Sequence, residues 1–289
     1  MEKQQKVLVA GASGSLGLEI VKVLNAQGRP IRALTSSDEG KEKLIPYTND
    51  IWKADASKGG DAIANITEGV DTVISALGNS ISLFTPNEKS FYKIDYQSNQ
   101  NILRDAEKHG VKRFVYTSIK GADVEEDYTV ARAHKLFEQA LRATDINSTI
   151  IRPVGFFSGL HDLVIMAKRK VIPLIGDGSA KTNSIHHADL AKVVCRYVDE
   201  GPEVTEVGGP EIHTRLEMAE MIQETIGGKI VKVPEVIAEI GLKLPNFFED
   251  IHEKLDYFKF VTTNDMIGEK NGNITFKEYL ANLDKNQLP

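Results

Sequence analysis

Three glycines at fixed spacing are the residues of this 289-residue chain best suited to chemistry. Gly11, Gly14 and Gly17 stand in VAGASGSLGLEI as GxxGxxG. That pattern suits the capture of a dinucleotide pyrophosphate. The first glycine permits a tight turn, the second lets backbone approach the phosphates, and the third lets a helix pack closely on the preceding strand. With Ala12, Ser13, Ser15 and Leu16 between them, they would aim backbone N–H groups and the positive end of a helix dipole at the anion. A glycine-rich turn of any α/β protein is the alternative, so the flanking elements decide.

Those elements are legible. Residues 7–10 are a short apolar run that reads as a buried strand, and Leu16, Ile20, Val21 and Leu24 then recur at helical intervals. Further strands are expected at 31–35, 51–55, 70–77, 111–118 and 148–151, with helices at 41–44, 61–68, 87–109 and 129–143. Gly110 is a suitable residue to end the third of these helices. Strands alternating with helices at this spacing predict an α/β fold with a Rossmann-type, doubly wound parallel sheet. The near-continuous apolar run VDTVISAL fits a strand covered on both faces. The character changes at Arg152 and Pro153, so residues 1–151 read as the nucleotide-binding domain. Residues 152–289 read as a smaller substrate-side region, partly interleaved with the sheet. Within it an amphipathic helix is expected at 216–226 after a cap at Thr214, and more helix from about Ile237.

Composition narrows the function. The chain is 41% apolar and 26% charged, as in ordinary globular proteins, and its net charge of −6 disfavours nucleic acid as a partner. Its one cysteine, Cys195, excludes an internal disulfide and a cysteine-based zinc site, and reads as a small core residue. No signal-like segment and no apolar run of membrane-spanning length is present. The expectations are a cytoplasmic location, no membrane insertion, and a monomer or homodimer acting on a small molecule or on none.

The motifs KVLVAGASGSLG, GVDTVISALG, GVKRFVYTS, INSTIIRPVGFF, NSIHHADLA and VGGPE, in that order, resemble the atypical short-chain dehydrogenase/reductase superfamily, in particular its NmrA-like and Ycf39-like NAD(P)-binding branch. The resemblance spans residues 6 to about 226 and leaves the tail after Gly227 without a reading. It implies that the stretch from Gly11 to Gly17 is the pyrophosphate loop and that Asp55 lies near the adenine. It further implies that Ala76, Leu77 and Gly78 run along the adenosine side, with Thr117 and Ser118 beside the nicotinamide and Pro153, Val154, Gly155 and Phe156 packed on its carboxamide end.

NAD is usually fixed by an acidic residue ending the second strand. Here that strand ends in Thr35, Ser36 and Ser37, and Asp38 and Glu39 come late. Ser36, Ser37 and Lys41 could instead receive a 2′-phosphate, so NADP(H) is favoured over NAD(H).

The family's reductases and epimerases commonly carry Tyr-x-x-x-Lys on the helix after the fifth strand. Here Val130 falls at the tyrosine position and His134 at the lysine position, with Glu138 on the same face. Shifting the alignment by one residue restores Lys135 but puts Ala131 at the tyrosine position. The catalytic tyrosine is missing either way. Ser118, Tyr128 and His134 remain as candidate catalytic residues, His134 holding the nicotinamide ribose or acting as an acid oriented by Glu138, or else being a surface histidine. His186 and His187 beside Asp189 look metal-like, but the resemblance makes them a strand-to-helix junction with Asp189 as helix start, and no metal is expected. Phe156, Phe157 and His161 are candidates for a pocket mouth lying between the sheet's C-terminal edge and the region after Arg152. Two readings follow: an oxidoreductase passing hydride to a small quinone, enone or carbonyl acceptor, and a non-catalytic cofactor-binding redox sensor, regulator or assembly factor. A sugar-nucleotide epimerase or dehydratase is disfavoured by the missing tyrosine.

Overall fold

The computed structural model describes residues 5–123, 128–234 and 249–283. The chain divides into two compact units. Unit 1 comprises residues 1–79, 89–152 and 190–205, and unit 2 comprises 80–88, 153–189 and 206–289.

Unit 1 begins with β1 (Val7–Ala10), α1 (Ser15–Ala26), β2 (Ile31–Thr35), α2 (Asp38–Leu44) and β3 (Asp50–Lys53). It continues with β4 (Thr72–Ser75), a π-helical stretch (Tyr92–Ser98) leading into α3 (Asn99–Lys108), then β5 (Arg113–Thr117), α4 (Thr129–Arg142) and β6 (Asn147–Pro153). These strands lie in the order β6-β5-β4-β1-β2-β3. Every pairing is parallel, with Val7 beside both Ile31 and Thr72. On one face of the sheet Leu8, Ala10, Val73, Phe114, Tyr116 and Ile150 pack with Ile102, Leu103, Ala106, Phe137 and Leu141 of the helices. Each fully buried aliphatic side chain here contributes about 1.5–3 kcal/mol.

Unit 2 carries α5 (His161–Lys168), β7 (Val171–Ile175), β8 (Lys181–Thr182) and the start of α6 (His187–Arg196), whose remainder belongs to unit 1. It continues through the end of β9 (Val204–Gly208), then β10 (His213–Thr214), α7 (Arg215–Ile226), β11 (Lys229–Val233), α8 (Glu249–Thr263), β12 (Glu269–Lys270) and α9 (Phe276–Ala281). Leu163, Val164, Leu174, Met218, Ile222 and Phe276 centre its core. Thr214 caps α7 as expected, in a full capping box with Glu217. With β9 and β12, the described residues make a mostly parallel eight-stranded sheet of the expected α/β, Rossmann-like class.

Three expected elements differ. Residues 61–68 are not a helix: Gly59, Gly60 and Asn65 take positive φ, and only short turns form. The third strand stops at Lys53, so Asp55 follows it and caps a short 3-10 turn, Ala56–Lys58. The helix expected from residue 87 begins near Tyr92, in π form. The expected tail helix falls partly outside the described residues, and α8 and α9 follow it.

Candidate functional site

The glycine turn has a separate steric reason at two of its positions. Gly11 has φ +74°, and a side chain there would lie 2.9 Å from the Ala76 carbonyl oxygen. A Cβ on Gly17 would sit 2.0 Å from the Gly11 carbonyl oxygen. Helix α1 therefore starts hard against the end of β1. Gly14 is its N-cap, with no side-chain cap and no acidic residue in the first turn. Gly14 and Ser15 are exposed, whereas Ala12 is buried and donates its N–H to the Leu34 carbonyl at 3.0 Å. A helix start of this kind leaves backbone donors available to an anion.

Beyond β2, Ser36, Ser37 and Lys41 are exposed. The Ser37 hydroxyl accepts from Gly40 N at 3.0 Å and so caps α2. The two carboxylates that follow the strand are engaged by lysines, Asp38 by Lys53 at 2.8 Å and Glu39 by Lys43 at 2.7 Å. Those hydrogen bonds hold both carboxyls below their ordinary values. Asp55 pairs with Lys89 at 2.5 Å and accepts from Ser57 N and Oγ. Burial opposes its ionisation, but the bonds from Lys89 and Ser57 outweigh this and keep its carboxyl low. After β4, Ala76 N donates to the Ala10 carbonyl at 3.0 Å, Leu77 is half-buried and Gly78 is exposed.

At the end of β5, Thr117 is buried and its Oγ1 has no hydrogen-bond partner among the described residues. Ser118 is also buried, and its hydroxyl donates to Glu138 Oε1 at 2.6 Å. Glu138, 1% exposed, further accepts from Arg152 Nε at 3.0 Å and Nη2 at 2.6 Å, and from Arg142. Arg152 also reaches Asp123 at 2.7 Å. Burial pulls the Arg152 guanidinium down, and its carboxylate partners more than reverse this, so it stays charged.

His134 is buried, not a surface histidine. Its Nδ1 lies 2.6 Å from the Tyr116 hydroxyl and its Nε2 3.2 Å from Asp95 Oδ1. Both ring nitrogens are thus engaged inside the protein. Glu138 does not orient His134; Asp95 does. Val130 and Glu138 share the buried face of α4 with His134, as the spacing required. Lys135 and Tyr128 are half-buried, Tyr128 at the N-terminus of α4. Asp95 went unnoticed in the sequence, although Asp95 and Asn99 fall in register with the apolar stripe of Ile102, Leu103 and Ala106.

In unit 2, Pro153 ends β6, Val154 N donates to the Val207 carbonyl at 3.0 Å, and Gly155 accepts from Ile185 N at 2.9 Å. Phe156 stacks on His187 with ring centroids 4.6 Å apart. Phe157 is core, against Phe276 and Tyr279, and His161 bonds the Tyr279 hydroxyl. His186 Nδ1 accepts from Ala188 N at 3.2 Å at the start of α6. Asp189 is not the helix start; its carboxylate accepts from Asn273 N and Ile274 N at 2.9 and 2.8 Å. Among the described residues no cluster of His, Cys, Asp and Glu could hold a metal ion, and no helix is long and apolar enough to cross a membrane.

The uncapped start of α1, the two positions where a Cβ would strike backbone, and the orphaned Thr117 hydroxyl all fit a bound dinucleotide. The class is that of nucleotide-binding Rossmann proteins, and the chain belongs to the NAD(P)H-binding family, whose model matches residues 11–201. It is 25% identical, over 80% of its length, to subunit 9 of the mitochondrial NADH dehydrogenase (ubiquinone) 1 alpha subcomplex of Arabidopsis thaliana, and spans 61% of that relative. It is 24% identical over 88% of its length to the photosystem II assembly factor Ycf39 of Synechocystis, spanning 78% of it. Among solved structures, an NADPH-dependent quinone oxidoreductase from Escherichia coli in complex with NADPH is similar at a TM-score of 0.74 and 20% identity, over 95% of this chain and 98% of that one.

Proposed function

We propose that the protein is an NADP(H)-dependent oxidoreductase that passes hydride to a small quinone, enone or carbonyl acceptor without a Tyr-x-x-x-Lys dyad. The observation that carries this reading is the open N-terminus of α1 behind its glycine turn. When bound, the reduced nicotinamide supplies the hydride. The backbone from Gly11 to Gly17 holds the pyrophosphate, and Thr117 Oγ1 offers a buried hydroxyl with no partner among the described residues. Ser36 and Lys41 receive the 2′-phosphate; this is supported by the pairing of Asp38 and Glu39 with lysines, which leaves no carboxylate committed to a ribose there. The polar groups on the buried face of α4 are engaged by side chains of unit 1, His134 by Tyr116 and Asp95 and Glu138 by Ser118 and Arg152, which favours an acceptor whose reduced form takes its proton from water, as a quinone's does. The fold shared with the quinone oxidoreductase supports the same acceptor class.

A second reading is favoured by the same saturation of α4. With His134 bonded to Tyr116 and set against Asp95, and Ser118 donating to Glu138, a protein that binds cofactor as a regulator or assembly factor needs nothing more. Its similarity to the assembly factor Ycf39 supports it. Screening NADPH oxidation against quinones and enones separates the two. Turnover supports the oxidoreductase, and binding without turnover across the panel supports the regulator.

A further inference from the structure

Asp95 carries a buried carboxylate to which the proposed function gives no task. It is 1% exposed, in the π-helical stretch before α3, and among the described residues His134 Nε2 lies 3.2 Å from its carboxylate. A buried carboxylate is costly without strong partners, and π turns recur at functional sites. Asp95 is also tied to the cofactor side: Asn79 N lies 3.3 and 3.4 Å from its two carboxylate oxygens. Its Oδ1 would be 3.4 Å from a Cβ on Gly78.

Tyr116 is fully buried, and His134 is the one described partner of its hydroxyl. Burial, together with the charges of Asp95 and Glu138, pushes the Tyr116 phenol well above its ordinary pKa, so it keeps its proton. A buried hydroxyl with one partner donates to it, so His134 Nδ1 accepts. With Nδ1 accepting, a neutral ring has its N–H at Nε2, which lies 3.2 Å from Asp95 Oδ1.

We infer that Asp95 is a positioning residue: held against His134, whose other ring nitrogen is bonded to Tyr116, it fixes the backbone of Gly78 and Asn79, and with it the segment Ala76, Leu77 and Gly78 on which the adenosine side of the cofactor lies. This rests on the proposed cofactor reading. It gives the histidine at the dyad's lysine position a structural task toward the cofactor in place of a chemical one.

The test is calorimetric titration of wild type, Asp95→Asn, His134→Gln and the double variant with NADPH. Asp95→Asn is nearly isosteric, but sets amide hydrogens against the Asn79 N–H. Each single variant should weaken binding about tenfold, the effect of one disturbed buried hydrogen bond. The double variant should match the weaker single within about twofold, because both act through one contact. Wild-type affinity in Asp95→Asn, or losses that multiply, would overturn the inference. A second measurement needs no variant: histidine 15N shifts should show His134 protonated at Nε2, and the Asn79 amide resonance should move on NADPH titration. An Nδ1-protonated ring or a stationary Asn79 amide would overturn it. A wild type that binds no dinucleotide overturns the cofactor reading as well, whereas an unaffected Asp95→Asn beside a binding wild type overturns this inference alone.

Discussion

The turn between β1 and α1 and the buried face of α4 belong to the same unit and treat polar groups in opposite ways. At the turn, donors are backbone N–H groups, no side chain caps the helix, and glycines keep the approach clear. On α4, His134 and Glu138 are buried and bonded to Tyr116, Asp95, Ser118 and Arg152. The first arrangement leaves capacity for a ligand; the second is closed on itself. A Tyr-x-x-x-Lys dyad would put free polar groups on the helix after β5; here the free capacity is at the turn and not at His134 and Glu138 of α4. The Thr117 hydroxyl, next to Ser118 and without a partner among the described residues, marks where the open character resumes.

If α4 is a closed network, opening it should affect stability most. Arg152→Ala leaves Glu138 buried without its main partner and should cost about 3–5 kcal/mol in urea unfolding. A loss below about 1 kcal/mol would mean that the network is not closed. Gly17→Ala tests the other region. Its Cβ meets the Gly11 carbonyl, so the turn must shift, costing roughly 1–3 kcal/mol and most of the NADPH affinity seen in calorimetry. Lys41→Ala, at an exposed position, should weaken NADPH about threefold and leave NADH unchanged.

The smallest effect is a pH dependence. The Asp55 carboxyl is held below its unfolded value, so its contribution is present above the unfolded pKa of about 3.9 and is lost as pH falls through the lower folded value. The stability gap between wild type and Asp55→Asn should thus be constant near neutrality and close below about pH 4 in urea titrations. A gap that widened with acid would contradict the pairing with Lys89.

Legibility in the sequence followed the range of the interactions. β1, β2 and α1 are read directly, because apolar runs and glycine spacing are local signals. The Thr214 cap was legible for the same reason. The turns at 59–65 were not, since helix-compatible residues such as Ala62 and Ile63 sit among residues at positive φ. On α4, spacing identified the shared face of Val130, His134 and Glu138 but not its partners. Asp95 and Tyr116 lie 39 and 18 residues from His134 in sequence, so only the folded sheet brings them together. Arg152 stands at a change in sequence character, and its bidentate bond to Glu138 has no signature in composition.

Calorimetric titration of the wild-type protein with NADPH, NADP, NADH and NAD tests the central claim most directly, namely that the open start of α1 is a dinucleotide site. The account predicts binding of all four with the phosphorylated pair tighter. Binding of none would contradict it.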